Sequence, residues 1–394
     1  MSDHTGTLLD ARTLAAWRRA VRHEGELVRD IADAHKAGKA KKADFASIRY
    51  LDSFHAHLVA TVKAYRRMPR HQRPSLDTVP DCARNLDPWK ASHEEVVVSL
   101  KAKRGDPHDF RMIMAFGIEN RARQYLVGEV LAARANLAPN QFFYRGGIPT
   151  AIRTAATALK NGYRYATEID ISSCFDSFNP EDVPNLLPLP KEVTRNTVLS
   201  ENFNIRLSAS LYIGAESDTN ESSREFLDSL GVQWGIPQGS AISSFIAEMM
   251  LAPVIEQLPN SGVAVAYADN ILLLGRSNAE MVSMTKTLSS ALAAHPAGPL
   301  TPNAPASYVP GDAVEFLGHE IRVEQDNVLI APSMENLRRF RKTFNRKVAD
   351  VRTNRITLFA AKGYVISWSS AFRLWDGVVK HRDNHLQKLQ ALCD

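Results

Sequence analysis

The sequence predicts an α+β fold, because helical and strand-like patterns occur in one chain and two apolar runs flank a turn at residue 269. Apolar side chains recur at three- and four-residue steps in residues 10–36 and 43–66, as they do in amphipathic helices. Residues 163–171 have the pattern of a strand, and GVAVAYADNILLLG at 262–275 has that of a hairpin with a polar tip. Packed helices and paired strands are therefore both expected.

Length and composition indicate a globular protein without narrowing its function. The 394 residues favour two or three packed units, and 44% apolar with 23% charged residues is ordinary. There is no apolar run of roughly 18 residues, no signal-peptide pattern and no disulfide or zinc spacing among the three cysteines, so we expect a cytoplasmic protein that does not enter a membrane. A net charge of +5 suits a polyanionic partner but does not establish one.

The other elements are predicted in chain order. We predict one buried helical stripe in residues 43–66, formed by Phe45, Ile48, Leu51, Phe54, Leu58, Val62 and Tyr65. Residues 66–90, with four prolines, mark a linker. Beyond it the pattern predicts a strand and helix in 108–135, a helix at 148–161, a Gly-rich turn into a helix in 232–258, a helix at 278–295, two strands in 314–330 and a basic helical tail from Ser333.

Two aspartates lie where strands end or turn. Asp170 ends the strand of residues 163–171, and Asp269 lies at the hairpin tip between apolar runs that would bury and fix it. On neighbouring strands, two such carboxylates could share Mg²⁺ ions about 3.5–4 Å apart, which stabilise both oxygens of a phosphoryl displacement. Taken singly, an aspartate at a strand end is more often a turn residue or a helix cap.

Four segments carry the most informative patterns. They are EIDISSCFDSF (168–178), GIPQGSAISSFIAEM (235–249), AYADN (266–270) and EFLGHEI (315–321). In this order they resemble motifs of the reverse transcriptases, more closely the bacterial enzymes related to group II intron proteins. The resemblance implies a right-hand polymerase fold with a helical N-terminal extension at 1–88, fingers at 89–165, a palm with an antiparallel sheet at 166–330 and a helical thumb at 331–394.

The resemblance also implies roles for single residues of the palm. Asp170 and Asp269 would be the catalytic metal ligands, joined by the backbone carbonyl of Ile171, and would hold two Mg²⁺ ions, with Mn²⁺ as the alternative ion. Phe175 falls at the position whose ring blocks a ribose 2′-OH, which favours deoxynucleotides. Core packing is the simpler interpretation of this phenylalanine.

Further residues are implied to bind the nucleotide. Gln238, Gly239 and Tyr267 would line the nucleotide and the template base, and Gly239 lets the backbone approach closely. Arg111 matches the fingers arginine that holds the triphosphate, since a guanidinium donates two parallel bonds to phosphate.

The sequence departs from the family pattern in two places that bear on catalysis. Asn270 stands where the family has a second aspartate; we count it with the catalytic residues, since an amide oxygen can still coordinate weakly or accept a hydrogen bond. Residues 298–312 lack the lysine that the family often places there as a proton donor to pyrophosphate. A general acid contributes about 10²–10⁴-fold, so a slower enzyme would be consistent with its loss.

The helical tail carries the residues expected to grip nucleic acid. Arg338, Arg341, Lys342 and Lys347 recur along its first helix, and a solvated helix face is the alternative interpretation. Trp368, Phe372 and Trp375 are more typical of a helical core than of a stacking platform.

The implied activity is RNA-directed DNA synthesis on an RNA template, from a DNA or RNA primer, with deoxynucleoside triphosphates. The tail is short and we find no RNase H segment and no retron triplet, so the resemblance is strongest to stand-alone bacterial enzymes of phage defence and abortive infection, some of which use a dedicated non-coding RNA. An RNA-dependent RNA polymerase, which Phe175 disfavours, and a catalytically weakened nucleic-acid-binding scaffold, which Asn270 favours, stay open. The N-terminal helices could hold a second protein or a second copy of the chain.

Overall fold

The computed structural model describes residues 11–103, 106–208, 219–325 and 327–392, and it confirms the α+β class. The helices are α1 (Ala11–Lys36), α2 (Ala40–Leu51), α3 (Phe54–Arg67), α4 (Thr78–Asn85), α5 (Ile118–Arg134), α6 (Gly147–Lys160), α7 (Cys174–Ser177), α8 (Val183–Leu186), α9 (Lys191–Thr197), α10 (Asn220–Ser229), α11 (Ser243–Glu256), α12 (Asn278–Ala293), α13 (Met334–Arg352), α14 (Leu358–Ala371) and α15 (Val378–Gln390). The strands are β1 (Glu95–Lys103), β2 (Asp106–Ala115), β3 (Tyr165–Asp170), β4 (Asn204–Leu207), β5 (Val263–Tyr267), β6 (Asn270–Gly275), β7 (Ala306–Tyr308), β8 (Val314–Phe316), β9 (His319–Glu324) and β10 (Asn327–Pro332).

The chain divides into two compact units. The first comprises residues 1–137, 173–250 and 294–300. The second comprises residues 138–172, 251–293 and 301–394. Each unit is thus assembled from segments distant in sequence, which local periodicity alone does not predict.

The first unit contains a three-stranded sheet of order β2-β1-β4, and its core lies on one face of it. β1 pairs antiparallel with β2 and parallel with β4. Val96, Val98, Met112 and Met114 alternate along the two longer strands and are buried around Phe203, as the two-residue side-chain period of a strand requires. This packing fixes β2, and with it the residues on the opposite face of that strand.

The helical stripe predicted for residues 43–66 is wrong in two respects. The stretch forms two helices, with Asp52 and Ser53 between them. Phe45, Ile48 and Phe54 are exposed to 63%, 39% and 45%. Leu51 of the predicted stripe is buried, but the rest of the buried face consists largely of small side chains, namely Ala43, Ala46, Ala56, Ala60 and Ala64, together with Tyr50. Alanine carries little weight in a pattern of large apolar residues, but it lets helices approach closely.

The second unit contains a four-stranded sheet of order β5-β6-β3-β7, in which every neighbouring pair is antiparallel. Ile152 and Ala155 of α6 belong to one buried hydrophobic cluster with Leu272 and Leu274 of β6 and with Phe316. Four residues of β6, from Ile271 to Leu274, are completely buried. Strand β6 therefore lies in the interior of this unit and holds the hairpin that it shares with β5.

The rest of the second unit consists of a small sheet and a helical group. Strands β8, β9 and β10 form an antiparallel sheet, so the two strands predicted in residues 314–330 are three. Helices α13, α14 and α15 enclose a core that includes Phe340, Val365 and Leu389. In the described part of the chain, no helix has both the length and the apolar content needed to cross a bilayer.

Candidate active site

Asp170 and Asp269 lie at the same end of two neighbouring strands of the second unit. Asp170 is the last residue of β3 and pairs in register with Asn270, the first residue of β6. The backbone amide of Ile171 donates a hydrogen bond to the backbone oxygen of Asp269 at 3.3 Å. The structure thus brings together the two aspartates that the sequence analysis selected, although about a hundred residues separate them in the chain.

The turn that carries Asp269 has an unusual backbone. Tyr267 and Asn270 are the last pair of the hairpin, so Ala268 and Asp269 form a two-residue loop. Ala268 has a φ of 52°, in the left-handed region that glycine normally occupies in such loops. This conformation costs on the order of 1–3 kcal/mol for a residue with a Cβ. It persists because Ala268 is buried and its strands are fixed by their neighbours.

Tyr267 precedes this turn and is half-buried in the second unit. Its ring packs edge-on against Phe143, with centroids 5.3 Å apart. The backbone beside it is held from another segment, because the Phe142 amide donates to the carbonyl of Ala266 at 2.9 Å. The hairpin tip is therefore braced on the side that faces away from β3.

Each aspartate accepts a hydrogen bond from an asparagine amide. Nδ2 of Asn270 donates to Oδ1 of Asp269 at 3.1 Å. Nδ2 of Asn303 donates to Oδ2 of Asp170 at 2.8 Å. Hydrogen bonds to an ionised carboxylate are stronger than neutral ones, so these amides orient the carboxylates without adding charge.

Glu168 adds a third acidic side chain nearby. It lies two residues before Asp170 on β3, so both side chains are on the same face of the sheet. Burial, followed by the charges of Glu315 and Asp170, raises the pKa of Glu168 to about 7. This carboxyl group therefore carries its full negative charge only above neutral pH.

The side chains at the strand ends have the chemistry to hold a magnesium ion together with a substrate. Among the residues that the structure describes, no three or more His, Cys, Asp or Glu side chains form a closed metal site. Two carboxylates, with the backbone carbonyl of Ile171 beside them, leave most coordination positions open. Mg²⁺ is bound in this way in phosphoryl-transfer enzymes, by one or two carboxylates with water and substrate phosphates. The residues present therefore fit Mg²⁺ held jointly with a phosphate.

Hydrogen bonds connect the segment that contains Phe175 with the segment that contains Gln238, within the first unit. The backbone oxygen of Phe175 accepts from the Ile236 amide at 2.8 Å, and its ring is half-buried. Nε2 of Gln238 donates to Oδ2 of Asp176 at 3.1 Å. Because a carboxylate only accepts, this bond leaves the amide oxygen of Gln238 directed away from Asp176.

Gly239 and Arg111 belong to the same part of the first unit. Gly239 has a φ of 106°, and a Cβ there would lie 2.3 Å from the backbone oxygen of Met114, so no side chain is accommodated. The Met114 amide donates to the carbonyl of Gln238 at 2.8 Å. Arg111, three residues earlier on β2, is exposed on the face opposite the core. Backbone pairing thus connects three of the predicted nucleotide-binding residues.

The four basic residues selected on α13 differ in their surroundings. Arg338, Arg341 and Lys342 are exposed and lie on one side of the helix. Lys347 is half-buried, and its Nζ lies 5.3 Å from the ring centroid of Tyr364. The first three are free to meet a phosphate backbone, whereas Lys347 already has an aromatic partner.

Two residues near Asp170 were not predicted from the sequence. Glu168 is the first residue of the segment EIDISSCFDSF (168–178), but its position inside a predicted strand gave no reason to expect a role in the site. Asn303 lies in the stretch that was noted only for its missing lysine. Asparagine is common in loops, so the residue type alone carried no signal.

Comparison with known proteins identifies the family of the chain. A family model described as "Reverse transcriptase (RNA-dependent DNA polymerase)" matches residues 101–321, which is more than half of the 394-residue chain. The match includes β3, the β5–β6 hairpin and the segment at residues 235–249. A search of curated proteins found no match. The chain belongs to the reverse transcriptase family.

Proposed function

We propose that this protein is an RNA-directed DNA polymerase that adds deoxynucleotides by two-metal phosphoryl transfer, with Asp170 and Asp269 as the metal-binding carboxylates. The observation that carries the proposal is that Asp170 pairs in register with Asn270, while the Ile171 amide donates a hydrogen bond to the backbone oxygen of Asp269 in the adjoining turn. The family assignment supplies the reaction class. The palm of the right-hand fold is proposed for residues 166–330.

The carboxylates perform an electrostatic and positioning task. In the reaction the primer 3′-oxygen forms a bond to the α-phosphorus of the nucleotide, and the bond to pyrophosphate breaks. Mg²⁺ ions, when bound, would supply positive charge that stabilises the reacting phosphate. Asp170 and Asp269 would hold these ions, and the β3–β6 pairing keeps the two residues close together. Such preorganisation is usually the largest contribution to catalysis of this kind.

The nucleotide-binding roles are proposed from residue chemistry. Phe175 would press its ring against the sugar and disfavour a 2′-OH. Arg111, exposed on β2, would hold the triphosphate through its planar fork. Gln238, whose amide oxygen is oriented by its bond to Asp176, would contact a base, and Gly239 beside it would let the backbone approach closely. Tyr267 of the second unit is proposed separately, as a nucleotide-binding residue, from its motif alone.

Nucleic-acid binding is proposed for the C-terminal helices, as the thumb. The exposed side chains Arg338, Arg341 and Lys342 offer a basic helix face to a template–primer duplex. We further propose the bacterial, group II intron-like lineage and a role in antiphage defence, with a dedicated non-coding RNA as one candidate template. The lineage is proposed from the four motifs, and the defence role from the narrower resemblance to stand-alone bacterial enzymes.

Primer extension with matched variants tests the proposal. The wild-type protein, with Mg²⁺, an RNA template, a DNA primer and labelled deoxynucleotides, should extend the primer. Asp170→Ala and Asp269→Ala should abolish extension, whereas Asp376→Ala, at an exposed aspartate of the second unit, should not. Far-UV circular dichroism and the melting temperature check that the variants fold. Wild-type rates in the Asp170→Ala protein would refute the assigned site.

The same assay separates the alternatives. If the protein is a scaffold without activity, the wild-type protein should bind the duplex but incorporate no nucleotide. An RNA polymerase would extend the primer with ribonucleotides in preference to deoxynucleotides.

A further inference from the structure

A short segment after α12 runs along the end of β3. Ile171 forms an antiparallel bridge with Pro302. The Ser172 amide donates to the carbonyl of Thr301 at 2.9 Å, and the Asn303 amide donates to the carbonyl of Asp170 at 2.8 Å. The backbone of Asp170 is therefore held on one side by β6 and on the other by this segment.

The pairing of this segment contains one extra residue. Glu168 is paired with Ala306 on β7, and Ile171 is paired with Pro302. The step is three residues on one strand (168 to 171) and four on the other (306 to 302), which is the signature of a β-bulge. Without it, the register would place Ala304 opposite Asp170.

The bulge instead places Asn303 opposite Asp170. Residues directly opposite in an antiparallel pair have their side chains on the same face of the sheet. The Asn303 side chain uses this position, and its Nδ2 donates to Oδ2 of Asp170 at 2.8 Å. Asn303 thus contacts Asp170 twice, once through its backbone and once through its side chain.

We infer that Asn303 is a positioning residue that fixes the orientation of the Asp170 carboxylate for metal binding. The inference rests on the proposed function of Asp170. With Oδ2 engaged by a neutral donor, the carboxylate keeps one rotamer and presents its remaining lone pairs to the metals. An amide achieves this without another charge, whereas a lysine would compete with the metal ions for the carboxylate. Groups that hydrogen-bond a ligating carboxylate typically contribute about 10–100-fold to metal affinity or activity.

Two substitutions at position 303 distinguish a hydrogen-bond donor to Asp170 from a direct metal ligand. Asn303→Ala removes the donor and keeps the backbone bond. Asn303→Asp keeps the size but replaces the donor by an acceptor facing Asp170. Asn327→Ala, an exposed asparagine on β10 of the same unit, is the matched control.

Metal binding is measured first, without catalysis. Free Mn²⁺ is titrated by electron paramagnetic resonance against each protein with primer and template. Asn303→Ala and Asn303→Asp should both weaken Mn²⁺ binding by about tenfold or more, and Asn327→Ala should match the wild type. In primer extension, Asn303→Ala should lower kcat with an unchanged KM for nucleotide, and a higher Mg²⁺ concentration should restore part of the rate.

The outcomes distinguish the inference from the proposed function. Unchanged Mn²⁺ binding and kcat in Asn303→Ala, in a wild-type background that extends primers, would overturn the inference alone. Tighter Mn²⁺ binding in Asn303→Asp would mean that position 303 acts as a ligand, which also overturns it. A wild-type protein without Asp170-dependent synthesis would refute the proposed function instead.

Discussion

Phe175 is the residue whose proposed role gives the most direct test of substrate choice. Its backbone is fixed by the Ile236 amide, and Gly235 packs so closely that a Cβ there would lie 2.3 Å from the Phe175 carbonyl. The ring therefore cannot easily withdraw by a backbone shift. A rigid aromatic wall is what discrimination against one hydroxyl group requires.

We expect Phe175→Val to admit ribonucleotides. Removing the ring should lower the ratio of kcat/KM for deoxynucleotides over ribonucleotides by at least about tenfold, because the discrimination depends on steric exclusion. Single-nucleotide incorporation kinetics with both substrates measure this ratio. Phe226→Val, at an exposed phenylalanine of the same unit, should leave it unchanged. An unaltered ratio in Phe175→Val would assign the ring to core packing.

Site residues that lie within a recognisable sequence motif could be predicted from the sequence. Residues that reach the site only through the course of the backbone could not. Asp170 and Asp269 were found because each lies within a recognisable motif. Asn303 reaches Asp170 only through a bulge, and nothing in the residues 301–306 marks where one extra residue is accommodated. The exposed Phe45 was misassigned because a repeating apolar pattern does not reveal which face has a partner.

The β5–β6 hairpin was predicted from two apolar runs around a polar tip, but the backbone conformation of its turn was not. Two-residue hairpin loops favour glycine or asparagine, and the sequence has Ala-Asp. The positive φ of Ala268 is imposed by the buried strands on both sides. Strain of this kind is often found at functional sites.

Substitutions at Ala268 test this strain. Ala268→Val should destabilise the protein by about 2 kcal/mol or more, because a β-branched residue is strongly disfavoured at positive φ. Ala268→Gly should be tolerated, since glycine adopts this conformation freely. Chemical denaturation of both variants measures the change in the free energy of unfolding. Equal stabilities of the valine and glycine variants would show that the turn relaxes.

The helical group α13–α15 should depend on pH through His381. Burial, followed by the charges of His385, Arg341 and Lys388, lowers the pKa of His381 to about 4 from an ordinary 6.5. The unfolded chain therefore binds a proton more readily than the folded one between these values. The free energy of unfolding should decrease as the pH falls from about 6.5 to about 4, and this contribution should be constant below that.

Tryptophan fluorescence can follow the unfolding of this helical group, because the ring centroids of Trp368 and Trp375 lie 5.0 and 5.3 Å from that of His381. Urea unfolding at pH 7 and pH 5 should show a smaller difference in His381→Gln than in the wild type. His71→Gln, at an exposed histidine, should retain the full difference. An identical pH difference in His381→Gln would remove His381 as its source.

For the whole molecule, the fold class followed from the sequence and the assembly did not. The α+β character and most element positions after residue 108 are as predicted. The parallel pairing of β1 with β4 joins segments about a hundred residues apart, and each compact unit is built from three separate segments. Such long-range pairing depends on packing across the chain, which local periodicity does not encode.

The overall positive charge bears on function only where exposed cations lie close together, as Arg338, Arg341 and Lys342 do on α13. We expect Arg338→Gln, Arg341→Gln and Lys342→Gln each to weaken binding to an RNA–DNA duplex. Each should also reduce the slope of log Kd against log salt concentration by about one unit, because a protein that lacks one phosphate contact releases fewer counterions when it binds. Lys347→Gln should have a smaller effect on the slope, because its ammonium group lies over Tyr364. Fluorescence anisotropy at several salt concentrations measures the slopes, with Lys160→Gln as the control at an exposed lysine of α6. A wild-type slope in the triple variant at 338, 341 and 342 would mean that the duplex is held elsewhere on the protein.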